Sequence, residues 1–240
     1  MQFLFIRHGQ SENNLLWEET GTNKGRSEDP ELTEKGLLQA TLLADFIVRK
    51  DKERQRFPNN EITRDQFQFT HLYTSLMVRS VKTAYTLSDA LGIPLHAWPE
   101  IHECGGIYME NDGTKKQVGL PGKTRSYFAQ HYQNLNLPEI VTDEGWYNRQ
   151  YESELERPQR ARQVLETLLQ RHGNTEDRVA IVSHGGFYME LIRVLFNVPT
   201  DQSWFLMNNT GISRFDFEGE SRIVLVYHNR TDHLDQSLIT

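Results

Sequence analysis

The sequence predicts an α/β fold: a three-layer α/β/α sandwich with a mostly parallel central sheet and an insertion over the C-terminal edge of its strands. Three observations lead there. Short apolar runs recur along the chain, each entering a polar or glycine-containing turn and then a helical pattern, at Phe3 to Ile6, at Phe69 to Tyr73 and at Val179 to Val182. Strands that alternate with helices pair in parallel and are covered on both faces. The 240 residues exceed a minimal α/β domain, and a chain of that length buries enough surface to fold without disulfides or a structural metal.

Taken in order, residues 2–6 form a buried strand that ends at Arg7-His8-Gly9. Thr33 is a candidate N-cap, and Leu38, Leu42, Leu43, Phe46 and Ile47 follow at amphipathic helical spacing. Residues 49–56 are charged at seven of eight positions and precede Pro58-Asn59-Asn60, which reads as a solvated helix end and a loop. A second strand at residues 69–73 leads to Ser75 as N-cap of a helix that Gly92 and Pro94 terminate. Leu95 to Trp98 is a weaker strand. Residues 107–156 are irregular and rich in aromatics, and are read as a lid-like insertion within a single domain spanning 1–240. Its aromatics either pack a small core of their own or, with Lys115, Lys116, Lys123 and Arg125, select a substrate. A helix with Pro158 at its first position runs to His172, where Gly173 can supply a left-handed cap. The third strand, residues 179–182, ends at Ser183-His184-Gly185-Gly186 before a helix to about Phe196, and residues 212–217 and 223–227 form a hairpin.

Composition excludes several classes. With 26 Lys+Arg against 33 Asp+Glu, the net charge of −7 argues against nucleic acid as a partner. The apolar run at residues 3–6 is too short for a signal peptide, and no stretch approaches the ~18 apolar residues of a membrane span. A soluble, cytoplasmic protein without membrane contact is expected. The lone Cys104 permits no intrachain disulfide and is expected to be inert. No H-x-x-x-H or H-E-x-x-H spacing occurs, so no metal site is expected.

In open α/β sheets the ligand crevice lies beyond the carboxyl ends of the strands. Three such ends carry Arg7-His8, Arg79 and His184. Each residue alone fits an ordinary structural role, but together two guanidiniums and two imidazoles suit a phosphoryl group. Arginine forks neutralise its oxygens, and a neutral imidazole can attack phosphorus. Gly9, Gly185 and Gly186 allow close backbone approach, and Gly185 would present a helix N-terminal N–H to the anion.

The string Arg7-His8-Gly9-Gln10-Ser11-Glu12-Asn13-Asn14 resembles the N-terminal signature of the histidine phosphatase superfamily, in its phosphoglycerate-mutase-like branch. Further matches follow in family order at Leu32-Thr33-Glu34-Lys35-Gly36, Gln39-Ala40, Ser75 to Arg79, Lys82-Thr83-Ala84, Glu103 and Ser183-His184-Gly185, while residues 107–156 match loosely. The resemblance implies that His8 is a nucleophile forming a phosphohistidine. Arg7, Arg79 and His184 would complete the phosphate pocket, Glu103 would donate a proton, and Asn14 would hydrogen-bond a phosphoryl oxygen. A cofactor-independent phosphomonoester hydrolase acting on a small phosphorylated metabolite is the leading expectation. The alternatives are a phosphoglycerate mutase and a noncatalytic phospholigand-binding module. Residues 15–31 lack the Gly-Trp-x-Asp of the mutases, and the chain has no adjacent Arg-Arg. The module would have lost a pocket residue, and none is lost. Asn208-Asn209-Thr210-Gly211 is read either as a pocket turn or as an ordinary one.

Overall fold

Phe3, Leu4, Phe5 and Ile6 are all buried because the strand that carries them has a helical layer on each side. The computed structural model describes residues 1–56, 67–111, 113–199, 203–219 and 222–240. Its elements in chain order are β1 (Gln2–Arg7), α1 (Glu12–Thr20), α2 (Glu34–Arg56), β2 (His71–Thr74), α3 (Val78–Leu91), β3 (Leu95–Ala97), β4 (Tyr108–Glu110) and β5 (Gln117–Gly119). There follow α4 (Arg125–His131), β6 (Leu135–Asn136), α5 (Arg157–His172), β7 (Arg178–Ser183), α6 (Gly185–Phe196), β8 (Ile212–Glu218) and β9 (Arg222–Arg230). The central sheet has the order β6-β3-β2-β7-β1-β8-β9. It is parallel from β6 to β1 and antiparallel from β1 to β9, as expected of a mostly parallel sheet ending in a hairpin.

The alternation of side chains along a strand divides the core in two. Leu4 and Ile6 of β1 and Ala180 and Val182 of β7 face one layer, where they join Leu43 and Ile47 of α2 and Val81 and Leu87 of α3. Phe3, Phe5, Val179 and Ile181 face the other, with Ala161, Val164 and Leu168 of α5 and Leu191 and Ile192 of α6. The three layers read from the sequence are these.

Several local expectations change. Residues 12–20, to which the sequence reading assigned no helix, form α1. It buries no side chain, so apolar periodicity could not reveal it, but Ser11 and Asn14 make a reciprocal capping box. Ser75 is not the N-cap of α3. Met77 holds that position without a side-chain cap, and Asp29 Oδ1 accepts from the Val78 N–H at 3.0 Å instead. Thr33 does cap α2, accepting from the Gly36 N–H at 3.0 Å. Pro158 takes the second position of α5, and Gly173 has φ −58°, so the cap there is not left-handed. Gly92, with φ 65°, ends α3 in the left-handed conformation. The loop read at Pro58-Asn59-Asn60 lies outside the described residues.

Residues 107–156 are less irregular than expected. They carry the β4–β5 ribbon and α4, and β6 adds a strand to the edge of the central sheet. Phe128, Tyr132, Trp146 and Tyr147 are buried in one cluster with Leu4 and Ile6, continuous with the α2–α3 side of the core rather than separate from it. Arg125 donates to the carbonyls of Pro138 and Val141, both at 2.8 Å, and so braces the segment.

Candidate active site

β7 lies between β1 and β2, with Arg7 in register with Ser183 and Thr74 with Val182. Adjacent strands are ~4.8 Å apart, so the ends of β1 and β2 are separated by about 10 Å with the end of β7 between them. This topology brings Arg7-His8, Ser75 with Arg79, and His184 to one sheet edge. His8 and His184 are buried, with ring centroids 5.0 Å apart.

Hydrogen bonds fix the proton on the His8 ring. His8 Nδ1 is 2.6 Å from the Gly9 carbonyl, which can only accept, so Nδ1 carries the hydrogen. Arg79 Nε can only donate, and it donates to His8 Nε2 at 3.1 Å, so Nε2 holds a lone pair. Ser75 Oγ accepts from the Met77 N–H at 3.3 Å and lies within hydrogen-bond distance, 2.9 Å, of His184 Nε2. His184 Nδ1 is buried and has no hydrogen-bond partner among the described residues. Arg7 Nε is a buried donor without a partner among the described residues, while its terminal nitrogen donates to the Met207 carbonyl.

Burial, reinforced by Arg79 and then Arg7, holds the His8 pKa well below the usual imidazole value. Burial, then Arg79 and His8, does the same for His184. Arg7 is lowered to about 10 by burial, against the pull of Glu103, and remains cationic at neutral pH. The positive charge of the cluster therefore resides on guanidiniums and the imidazoles are neutral.

These shifts set the acid limb of stability. His8, His184 and His102 all have folded pKa values below their unfolded value of about 6.5. Below that pH the unfolded chain takes up protons that the folded chain refuses, so their contribution is complete above about 6.5 and is lost as pH falls. Asp29, raised to about 7 mainly by burial, opposes this between its unfolded value and pH 7. Each histidine contributes up to about 1.4 kcal/mol per pH unit, and three outweigh one carboxyl. The urea midpoint is expected to fall steadily from pH 7.5 to 6 to 5; a rising midpoint would contradict the burial of neutral imidazoles.

Glu103 approaches from the turn after β3. Its Oε1 accepts from the N–H groups of Cys104 at 2.8 Å and Phe187 at 3.0 Å, and its Oε2 from Gly186 at 3.2 Å. The first turn of α6 thus orients this carboxylate, and its charge acts on both Arg7 and Arg79. A Cβ on Gly186 would come within 2.4 Å of Oε1. Gly186→Ala is therefore expected to displace Glu103 and lower kcat about 10–100-fold with the fold intact, as circular dichroism would check. The turn itself is pinned by α5: Arg160 donates to the carbonyls of Glu100 and His102 and pairs with buried Glu152. Burial and Glu103 push the Cys104 thiol up and keep it neutral, in line with an inert cysteine.

Asn14 Oδ1 is occupied by Ser11 and by Asn209 Nδ2 at 3.3 Å, so its amide N–H groups are the part that could serve a ligand. Gly185 begins α6, and a Cβ there would make only ordinary contact with Arg7, 3.5 Å from Nε. The turn at residues 208–211 is more than a turn. Asn209 Nδ2 donates to the His8 carbonyl at 2.9 Å, and the Thr210 N–H bridges the carbonyls of Arg7 and His8.

Four contributions escaped the sequence reading. Ser75 hydrogen-bonds His184 Nε2, Asp29 pairs with Arg79 at 3.8 Å, Met207 holds Arg7, and Arg160 with Glu152 braces the Glu103 turn. Only the Asp29-Pro30 step before Leu32 offered a local signal, as a turn ahead of α2. The others depend on contacts between distant segments.

Residues 3–55 and 60–230 match the family described as the histidine phosphatase superfamily (branch 1). The chain belongs to that superfamily. The reading as a histidine phosphatase, made from the motif around His8, is borne out. Among its relatives is a Hydrogenobacter thermophilus protein named "Putative phosphoserine phosphatase 2", 29% identical over 232 residues and matched across 96% of both chains. A Yersinia pestis protein named "Probable phosphoglycerate mutase GpmB" is 25% identical, with 98% of this chain and 95% of that one covered. The fold is shared with the Entamoeba histolytica phosphoserine phosphatase crystallised with phosphoserine, at a TM-score of 0.59 and 24% identity over 97% of this chain and 98% of that one. No helix among the described residues of this histidine phosphatase is long and apolar enough to cross a membrane.

Proposed function

We propose that the protein hydrolyses a small phosphomonoester through a phosphohistidine at His8. The observation that carries this reading is a neutral His8 whose Nε2 lone pair faces the Arg79 guanidinium, with the charge of Arg7 also acting on the ring. Arg7 Nε and His184 Nδ1, buried atoms with no partner among the described residues, supply hydrogen bonds suited to phosphoryl oxygens. As Arg79 turns from Nε2 to the phosphoryl oxygens, the lone pair is released to attack phosphorus. The bond from phosphorus to the leaving oxygen breaks, and Glu103, having taken up a proton as the phosphate anion binds beside it, gives that proton to the leaving oxygen. Water then attacks the phosphohistidine and returns a proton to Glu103, which restores His8 and releases phosphate. Asn14 and the Gly185 N–H would add hydrogen bonds to the anion.

Hydrolysis is favoured over phosphoryl return by the absence of Arg-Arg and Gly-Trp-x-Asp, which leaves less to grip a retained phosphocarboxylate. Of the cations in residues 107–156, Lys123 acts on Asp29, and Arg26 beside Tyr108 acts on Arg79, so further cations flank the pocket. A small substrate bearing a carboxylate beside its phosphate fits these cations, and the Hydrogenobacter relative makes phosphoserine the first candidate. Phosphate release from a metabolite panel, run beside a mutase assay with 2,3-bisphosphoglycerate, tests the reading. Net phosphate release with phosphoserine among the best substrates is expected. Isomerisation without net release would overturn it.

A further inference from the structure

Three side chains with no part in this chemistry meet at the opposite end of the sheet. His71 opens β2, His172 lies in the last turn of α5, and Asp177 immediately precedes β7. His172 Nδ1 is 2.8 Å and His71 Nδ1 3.9 Å from the same oxygen, Asp177 Oδ2. All three ligand atoms lie within 4.8 Å of one another. A tetrahedral zinc ion with bonds of ~2.0–2.2 Å holds its ligand atoms about 3.3 Å apart, a spacing that falls between the two separations. Small side-chain rotations would bring the three donors onto one ion.

We propose that His71, His172 and Asp177 form a binding site for a divalent transition ion of the zinc class, with one nitrogen from each imidazole, one carboxylate oxygen and an open fourth position. Two imidazoles and a carboxylate are a donor set suited to such an ion. The surroundings supply the outer hydrogen bonds that orient metal-binding histidines. His172 Nε2 is 3.0 Å from Tyr73 Oη. Without the ion, Nδ1–H donates to Asp177 and Nε2 accepts from Tyr73; with it, the proton moves to Nε2, which donates to Tyr73, so both ring nitrogens keep a partner. The Thr70 hydroxyl, 2.9 Å from His71 Nδ1, can turn to the Arg178 carbonyl at 3.3 Å and free that nitrogen. The His172 side chain is 5% exposed while His71 and Asp177 are 36% and 26% exposed, so the site is anchored on its inner side and reachable from water. The length of β7, roughly 20 Å, separates it from His184. The ion would clip the end of α5 to β2 and to the segment entering β7 without touching phosphoryl transfer.

The test uses untagged protein carrying His8→Ala, which removes the imidazole pair of the phosphate pocket as a competing site. After chelator treatment, calorimetric titration with Zn2+ is expected to show one ion per chain. At a free concentration about 100-fold above the dissociation constant, the thermal midpoint should rise by roughly 5–10 °C. Adding His71→Ala, at a partly exposed position, should weaken binding by about tenfold or more and abolish that rise, and Tyr73→Phe should weaken it by about 10–100-fold. His71→Ala in the otherwise unaltered chain should leave phosphatase activity unchanged. Co2+ added to the His8→Ala protein should give the strong visible bands of a four-coordinate ion. Absent stoichiometric binding, binding indifferent to His71→Ala, or absent Co2+ bands would each overturn the proposal and leave the cluster a hydrogen-bonded brace.

Discussion

His8→Ala is expected to lower kcat for a small phosphomonoester by at least about 10³-fold while leaving the far-ultraviolet circular dichroism unchanged. The side chain is buried and holds one hydrogen bond to Arg79 and one to the neighbouring Gly9 carbonyl, so its removal takes little packing from the core. The lost element is the Nε2 lone pair. What survives in the variant is the electrostatic pocket of Arg7, Arg79 and His184, which should still bind inorganic phosphate. Tight phosphate binding with no turnover separates a missing nucleophile from a collapsed site. Phosphate release at the wild-type rate would end the phosphohistidine mechanism.

Arg79→Ala is the second large effect, expected at about 10²–10³-fold in kcat, because it removes one of the two charges that face the transferring oxygens. It also has a signature that a merely structural residue would lack. Arg79 is, after burial, the largest cause of the depressed His8 pKa. Without it the imidazole becomes easier to protonate, and since only neutral His8 can attack, the acid limb of the pH–rate profile should move to higher pH. Arg79→Lys restores the charge but not the planar fork, so it should return the acid limb toward wild type while recovering only part of kcat. Asp29 bears on the same residue: it caps α3 through Val78 and pairs with Arg79. An acid limb that fails to move in Arg79→Ala would show that the guanidinium does not act on His8 in solution.

The legible parts of the fold were those written in contiguous residues. The buried run Phe3 to Ile6, the run Val179 to Val182 and the amphipathic spacing of Leu43 and Ile47 encode layers that bury themselves on both faces, so composition and period suffice. α1 was not legible that way because it buries nothing; only its capping box marks it. The division of roles at the site follows the same line. Arg7, His8, Arg79 and His184 stand at strand ends, and the sheet order alone brings them together. Ser75 reads as a helix cap until the strand order sets it against His184, and Arg160 reads as one more charge on α5 until Glu152 and two carbonyls surround it. Residues 107–156 were taken for a separate addition because their glycines and aromatics lack period, yet Trp146, Tyr147 and β6 are built into the main core and sheet. The net charge of −7 conceals a site in which two guanidiniums adjoin two neutral imidazoles.

The central claim is that His8 carries the phosphoryl group. Rapid mixing with an aryl phosphate, quenching under alkaline conditions within the first turnover, and mass analysis of the proteolysed protein test it directly. The expected result is a single phosphoryl group on the peptide containing His8, lost on mild acid treatment and absent from His8→Ala. Turnover with the phosphoryl group on any other residue, or on none while phosphate is released at full rate, would contradict it.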